Sequence, residues 1–203
     1  MIHRLLFLLL LCVVALPARA DQVRVNNIWV PDVRVISVRD GEVHYVTAVG
    51  RDVRRPRAEV EGIRLDAIPE YARGVELVGE GHDAAAVPML VQARRTARSR
   101  NLDWVGHEAG MQLAAALDRL NMGADAAEAY LELMERRAGP EYLVDPPRAS
   151  VAALPADQRQ RLRRRVERSL GRLPEAAQPH VGRFVAALSG SAAARPVAGG
   201  ASP

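Results

Sequence analysis

Residue 67 divides this chain by hydrophobic period, and that division limits the fold more than any other feature. Before it, apolar residues recur at every second position: Val23 and Val25, then "VRVISV" at 33–38, "VHYVTAV" at 43–49 and "VEGIRL" at 60–65. Alternation of this kind marks strands with one buried face. "NN" at 26–27 and "DG" at 40–41 supply turns. About five short strands are expected between 22 and 66. An isolated small sheet is weak, so it must curl into a small barrel or pack one face against a helix.

After Ala67 the apolar spacing becomes three and four. Helices are predicted at 68–79, 84–98, 105–120 and 124–137, with a last pair at 157–170 and 175–188. Asp83 and Asp125 stand where N-caps belong. Pro88 is awkward, because it removes a donor and crowds a carbonyl within the second turn of its helix. Residues 99–104 read as a hinge, and "AGPEYLVDPP" at 138–147 as a rigid, extended connection. From residue 189 the chain is mostly Ala, Gly, Ser and Pro, which predicts a disordered tail over 189–203. The expected class is α+β, with a small antiparallel β module or barrel at 21–66 and antiparallel helical hairpins at 67–188.

The first twenty residues stand apart. His3 and Arg4 precede an apolar run from Leu5 to Leu16; Pro17 breaks it, and "ARA" follows at 18–20. This is the three-part pattern of a secretory signal, with cleavage expected after Ala20 and an uncleaved N-terminal anchor as the alternative. Cys12 lies inside that run and is the sole cysteine. The mature chain would hold none, which excludes disulfides, thiol catalysis and cysteine–zinc sites. The expected location is periplasmic or extracellular.

Every one of the 28 basic residues is arginine, and the formal net charge is +4. Removal of Arg4 and Arg19 with the signal leaves +2, too little for whole-protein steering toward nucleic acid. Two local patches remain. "RDVRRPR" at 51–57 offers Arg54, Arg55 and Arg57. "RQRLRRRVERSLGR" at 159–172 offers Arg161, Arg164 and Arg165. These six are candidates for contact with anionic lipid or a cell-wall polyanion. In the second patch Leu162, Val166, Leu170 and Leu173 form a stripe that suits packing against Val181, Phe184 and Leu188.

Catalytic patterns fail on inspection. His107–Glu108 begins like a zinc-protease motif, but position 111 is methionine where the second histidine is required. No serine sits in a strand-to-helix elbow, and no glycine-rich loop suits a nucleotide. The acids Asp66, Glu70, Glu76, Glu80 and Asp83 read as a solvated face. No cofactor or metal is expected, and the chain reads as non-enzymatic. Trp29 is expected to seal the seam between β module and helices, and Trp104 to anchor a hairpin interface.

Ala86 and Ala126 lie forty residues apart. Each is followed four residues later by a large side chain, Leu90 or Tyr130, and three further on by Ala93 or Leu133. With Gly74, Leu77 and Gly81 ahead of the first set, and Leu113, Ala114 and Leu117 ahead of the second, this resembles a tetratricopeptide repeat over about 68–137. A fainter extension reaches 188. Asn121 stands where the second glycine would be. The period of forty, longer than that family's, implies an insertion around 98–104. The β segment resembles small modules that precede repeat domains in exported bacterial proteins of unassigned function. The resemblance implies a concave groove lined by first helices, with Tyr71, Arg73, Gln112 and Arg119 as partner-binding candidates. The implied role is a scaffold that binds an envelope protein or peptide. Surface attachment through the arginine patches is the alternative. The residues do not select an oligomeric state.

Overall fold

The computed structural model describes residues 20–136, 138–143, 146–173 and 175–189. The expected signal at 1–20, apart from Ala20, and the expected tail at 189–203, apart from Ser189, lie outside the described residues. Five strands come first: β1 Asp21–Val25, β2 Ile28–Arg39, β3 Glu42–Val46, β4 Asp52–Pro56 and β5 Val60–Arg64. All pairings are antiparallel, in the order β4-β3-β2-β1-β5. Both predicted turns are tight. Asn26 and Asn27 take φ of 51° and 63°, and Asp40 and Gly41 take 54° and 73°. Two successive left-handed residues match the right-handed twist of a hairpin, and Asn, Asp and Gly tolerate that conformation best.

The long strand β2 serves two partners. Its first half, to Val33, pairs with β1, and Arg34–Arg39 pairs with β3. One turn of 3-10 helix, Arg57–Glu59, joins β4 to β5. Four residue steps from Pro56 to Val60 reach about 14 Å at most. A flat sheet would hold its outer strands about 19 Å apart. The sheet therefore curls. The expected small antiparallel module is present, and among the described residues it stays open, with β4 and β5 as its outer strands.

The helices follow as α1 Pro69–Gly79, α2 Asp83–Ser99, α3 Asp103–Arg119 and α4 Gly123–Glu135. A one-turn α5, Ala149–Ala152, precedes α6 Ala156–Leu170 and α7 Gln178–Leu188. Helices α2, α3 and α4 start at residues 83, 103 and 123, twenty residues apart. Three identical turns make this spacing. Gly81, Asn101 and Asn121 take φ of 78°, 57° and 59°. The next amide in each case donates five residues back: His82 to Leu77, Leu102 to Ala97, and Met122 to Leu117, at 2.8, 3.0 and 2.9 Å. This is the left-handed helix ending that glycine or asparagine supplies. Asn121 thus does the work of Gly81. The expected insertion and hinge at 98–104 are absent, because the period of forty comes from long helices joined by three-residue turns.

Asp83 and Asp125 are not caps. The N-cap positions belong to His82 and Met122, and no side chain caps either helix. Asp83 instead accepts two hydrogen bonds from Arg119 across the hairpins, at 2.8 and 2.6 Å. Pro88 sits within α2 without ending it.

Ala86, Leu90, Ala93, Ala126, Tyr130 and Leu133 are all buried. The close approach has a direct measure. A Cβ added at Gly74 would stand 2.7 Å from Leu90 Cδ2, and one at Gly110 would stand 2.8 Å from Leu133 Cδ2. Each leucine fills the notch left by a glycine on the facing helix, which brings the backbones together. The last hairpin docks through Tyr130 and Phe184, whose rings lie 4.8 Å apart. Leu162, Val166, Val181 and Phe184 are buried as the stripe predicted.

The segment 138–147 differs from its expected role as a plain extended connection. Pro140–Tyr142 forms one helical turn, and Tyr142 and Leu143 lie in the core. Tyr130 donates to the Leu143 carbonyl at 2.8 Å, and Tyr142 to the Val38 carbonyl at 2.8 Å. One continuous apolar cluster runs from the valines of the sheet through α1–α4 to α7.

Candidate functional site

The sheet sits on the first helices of the hairpins, α1 and α3. Glu108 of α3 is the centre of that contact and is 4% exposed. It sits one turn beyond Trp104 and Val105, on the side of α3 that faces the sheet. Arg57, from the turn between β4 and β5, donates its Nε to Glu108 Oε1 at 2.9 Å and its Nη1 to the Val60 carbonyl at 2.6 Å. Tyr71 of α1 donates its hydroxyl to Glu108 Oε2. One carboxylate therefore ties together the sheet and both first helices. Burial, the largest influence, draws the Arg57 guanidinium down, but the charge and hydrogen bond of Glu108, with Tyr71 and Tyr142, together raise it overall. Burial first, and then Glu108, push the Tyr71 phenol well above its usual range. Both shifts favour a charged Arg57 and a protonated Tyr71, the forms that donate to Glu108.

This placement removes Tyr71 from the partner-binding set, since it is buried, with its ring against Trp104 and its hydroxyl on Glu108. Arg119 is engaged by Asp83, and Arg73 pairs with Glu76 at 2.7 Å. Gln112 is half-buried. The four do not line one open groove. The arginine candidates divide in the same way. Arg57 is the sheet anchor, Arg55 meets Tyr45 and Glu59, Arg161 pairs with Asp157, and Arg165 bridges Glu128 and Glu135. Arg54 and Arg164 are exposed, without an ion pair among the described residues. Trp29 does not seal the seam. It lies on the sheet side away from the buried valines, across Gly62, whose added Cβ would meet it at 3.1 Å. Arg64 stacks on it at 4.2 Å and Arg24 at 5.9 Å.

An open cleft of about 720 Å³ remains where the second half of β2 faces the start of α3. Ile36–Asp40 form one wall; Asn101, Asp103, Trp104 and His107 form the other, with Arg136, Glu141 and Tyr142 at the end. Trp104 is 9% exposed and packs edge-on against Tyr71 at 6.2 Å. Its indole N–H is buried without a hydrogen-bond partner among the described residues. Such a donor costs about 1–3 kcal/mol when left unmade. His107 lies 5.3 Å from the Tyr142 ring, and burial lowers its pKa, which favours the neutral imidazole. Glu108 and Tyr142 escaped sequence reasoning as site-forming residues. The signal was a carboxylate on an otherwise apolar helix face for the first. Proline-rich surroundings masked the second.

No group of three metal-ligating side chains and no helix able to cross a membrane occurs among the described residues. No family model matches the chain, and no curated protein or solved structure matches it.

Proposed function

We propose that this chain is an exported, non-enzymatic scaffold that binds a protein or peptide of the cell envelope. The observation that carries the reading is the cleft between sheet and helices, walled by aromatic and charged side chains of β2, α3 and the segment after α4. Binding sites are concave, largely preformed and furnished with a few convergent polar groups. The face formed by α1 and α3 is filled by the sheet, so the cleft at the seam takes the place of the groove expected from the tetratricopeptide resemblance. Export rests on the signal pattern at 1–20.

The test is affinity capture of the chain from its own envelope at low and at about 1 M salt, where charge contacts fade within about 3 Å. A partner retained in high salt by the native chain, and lost when Ile36→Glu places a charge on the cleft wall, supports the reading. A second reading is contact with anionic lipid or cell-wall polyanion. It is favoured by the exposed Arg54 and Arg164, which have no ion pair among the described residues, and capture that vanishes in salt alone would select it. Mass spectrometry of the exported chain should find Asp21 as its first residue; an intact residue 1 would refute processing.

A further inference from the structure

The positive charge of this chain is gathered in its last hairpin. Residues 156–188 hold eight arginines and three acids, a net of +5, whereas residues 21–155 hold seventeen arginines and twenty-one acids, a net of −4. The near balance of the whole chain hides this division. Within the hairpin, α6 concentrates the charge. Arg161, Arg164 and Arg168 recur at intervals of three and four, so they share one side of the helix. Arg172 continues the row four residues on, in the turn that follows. All four are exposed, while Leu162 and Val166 are buried on another side. Their neighbours are engaged: Arg165 bridges Glu128 and Glu135, and Arg163 pairs with Glu167 at 2.9 Å. In the row itself, Arg161 meets Asp157 in a pair exposed on both sides, which is worth little. Arg168 reaches only the Arg164 carbonyl, at 3.4 Å, and Arg164, Arg168 and Arg172 have no ion pair among the described residues. Like charges one turn apart weaken a helix, and a bound anion would relieve that repulsion.

The row also restricts the ligand. Successive arginines are separated by about 4.5 or 6 Å of helix rise, so they ask for anions repeated at that spacing along a line. Guanidinium forks suit phosphate groups bidentately. A helix that lies on a bilayer needs a free apolar face, and α6 has buried its own in the core. The exposed large apolar residues, Ile28, Ile36, Val49 and Met122, all lie outside this hairpin. Phe184, its one phenyl ring, is buried and offers no platform for stacking bases. We infer that α6 binds a linear phosphate polymer laid along Arg161, Arg164, Arg168 and Arg172. This rests on the second reading, contact with an envelope polyanion, and gives it a site and a chemical class.

The experiment uses the full chain purified from its host, titrated calorimetrically from low to moderate salt. The probes are inorganic polyphosphate, polyglutamate of equal charge, and vesicles of phosphatidylcholine with phosphatidylglycerol. Polyphosphate should bind most tightly, and log Kd should rise with log salt at a slope of about 3, from four contacts at about 0.7 each. Arg164→Gln with Arg168→Gln should halve that slope and weaken binding at least tenfold, with an unchanged circular dichroism spectrum. Arg39→Gln with Arg54→Gln, on the sheet, should leave binding as it was. Polyglutamate binding as well as polyphosphate, or an equal loss in the sheet variant, would overturn the inference. Vesicles bound without polyphosphate would overturn it and keep the second reading, on a bilayer. If no probe binds, both fall.

Discussion

Gly123 opens α4 against the backbone of α5, and replacing it by alanine tests how tightly the helices are set. An alanine Cβ there would stand 2.3 Å from the Ser150 carbonyl oxygen, 2.6 Å from its carbon and 3.1 Å from the Val151 nitrogen. These are main-chain atoms, so no rotamer change relieves the contact. Nor can Ser150 retreat freely. Its amide donates to Asp118 Oδ1 at 3.0 Å, its hydroxyl donates to the same oxygen, and the Arg148 amide donates to Oδ2 at 3.2 Å. Overpacking of this kind costs about 1–3 kcal/mol, and a shift that breaks one Asp118 bond adds about 1. Helix propensity returns less than about 1 kcal/mol at a first-turn position. The net expectation is a loss of about 2–3 kcal/mol. Gly182 in α7 is the control of opposite sign: a Cβ there meets nothing within 4 Å, and alanine should stabilise by about 0.5–1 kcal/mol. Urea unfolding followed by tryptophan fluorescence and far-ultraviolet circular dichroism reads both. If Gly123→Ala matches or exceeds the native stability while Gly182→Ala gains, the tight seating of α5 on α4 is wrong.

Glu108→Gln should cost about 1–3 kcal/mol in urea unfolding, since Arg57 keeps its burial and loses its counter-charge; an unchanged midpoint would mean the sheet is held by apolar contact alone. His107 has a lowered folded pKa, so its contribution is full above the unfolded value of about 6.5 and is lost as pH falls below it. The urea midpoint should therefore drop between pH 7.5 and 5.5, and His107→Gln should flatten that slope. Arg119 holds the Asp83 carboxyl below its usual range, so this pair stabilises above about pH 4 and fades as pH falls further. Asp83→Asn should remove part of the acid dependence and cost about 1 kcal/mol at pH 7; identical acid profiles would contradict it. Gly110→Ala should destabilise by about 1–2 kcal/mol through the clash with Leu133, and shortening that leucine to alanine in the same chain should relieve the clash in a double-mutant cycle.

Local chemistry was legible in the residues alone. Alternation at 22–66 and three-to-four spacing after 67 specified the strands and helices, because side-chain direction follows directly from those two periods. Asn26–Asn27 and Asp40–Gly41 specified their turns, since few residues tolerate positive φ. Ala86, Leu90, Ala126 and Tyr130 announced close helix packing through their sizes. What only the tertiary structure decided was which surfaces met. A period of forty could mean an inserted loop or longer helices, and the turn at Asn101 settled it by adopting the same ending as Gly81 and Asn121. Tyr71 fits a helix stripe whether that stripe faces a partner or the chain's own sheet. Glu108 looked like an unemployed half-motif until Arg57 arrived from fifty-one residues away. Pairings of that separation leave no mark on local spacing, because the partners share a neighbourhood only after the curled sheet has closed over α1 and α3.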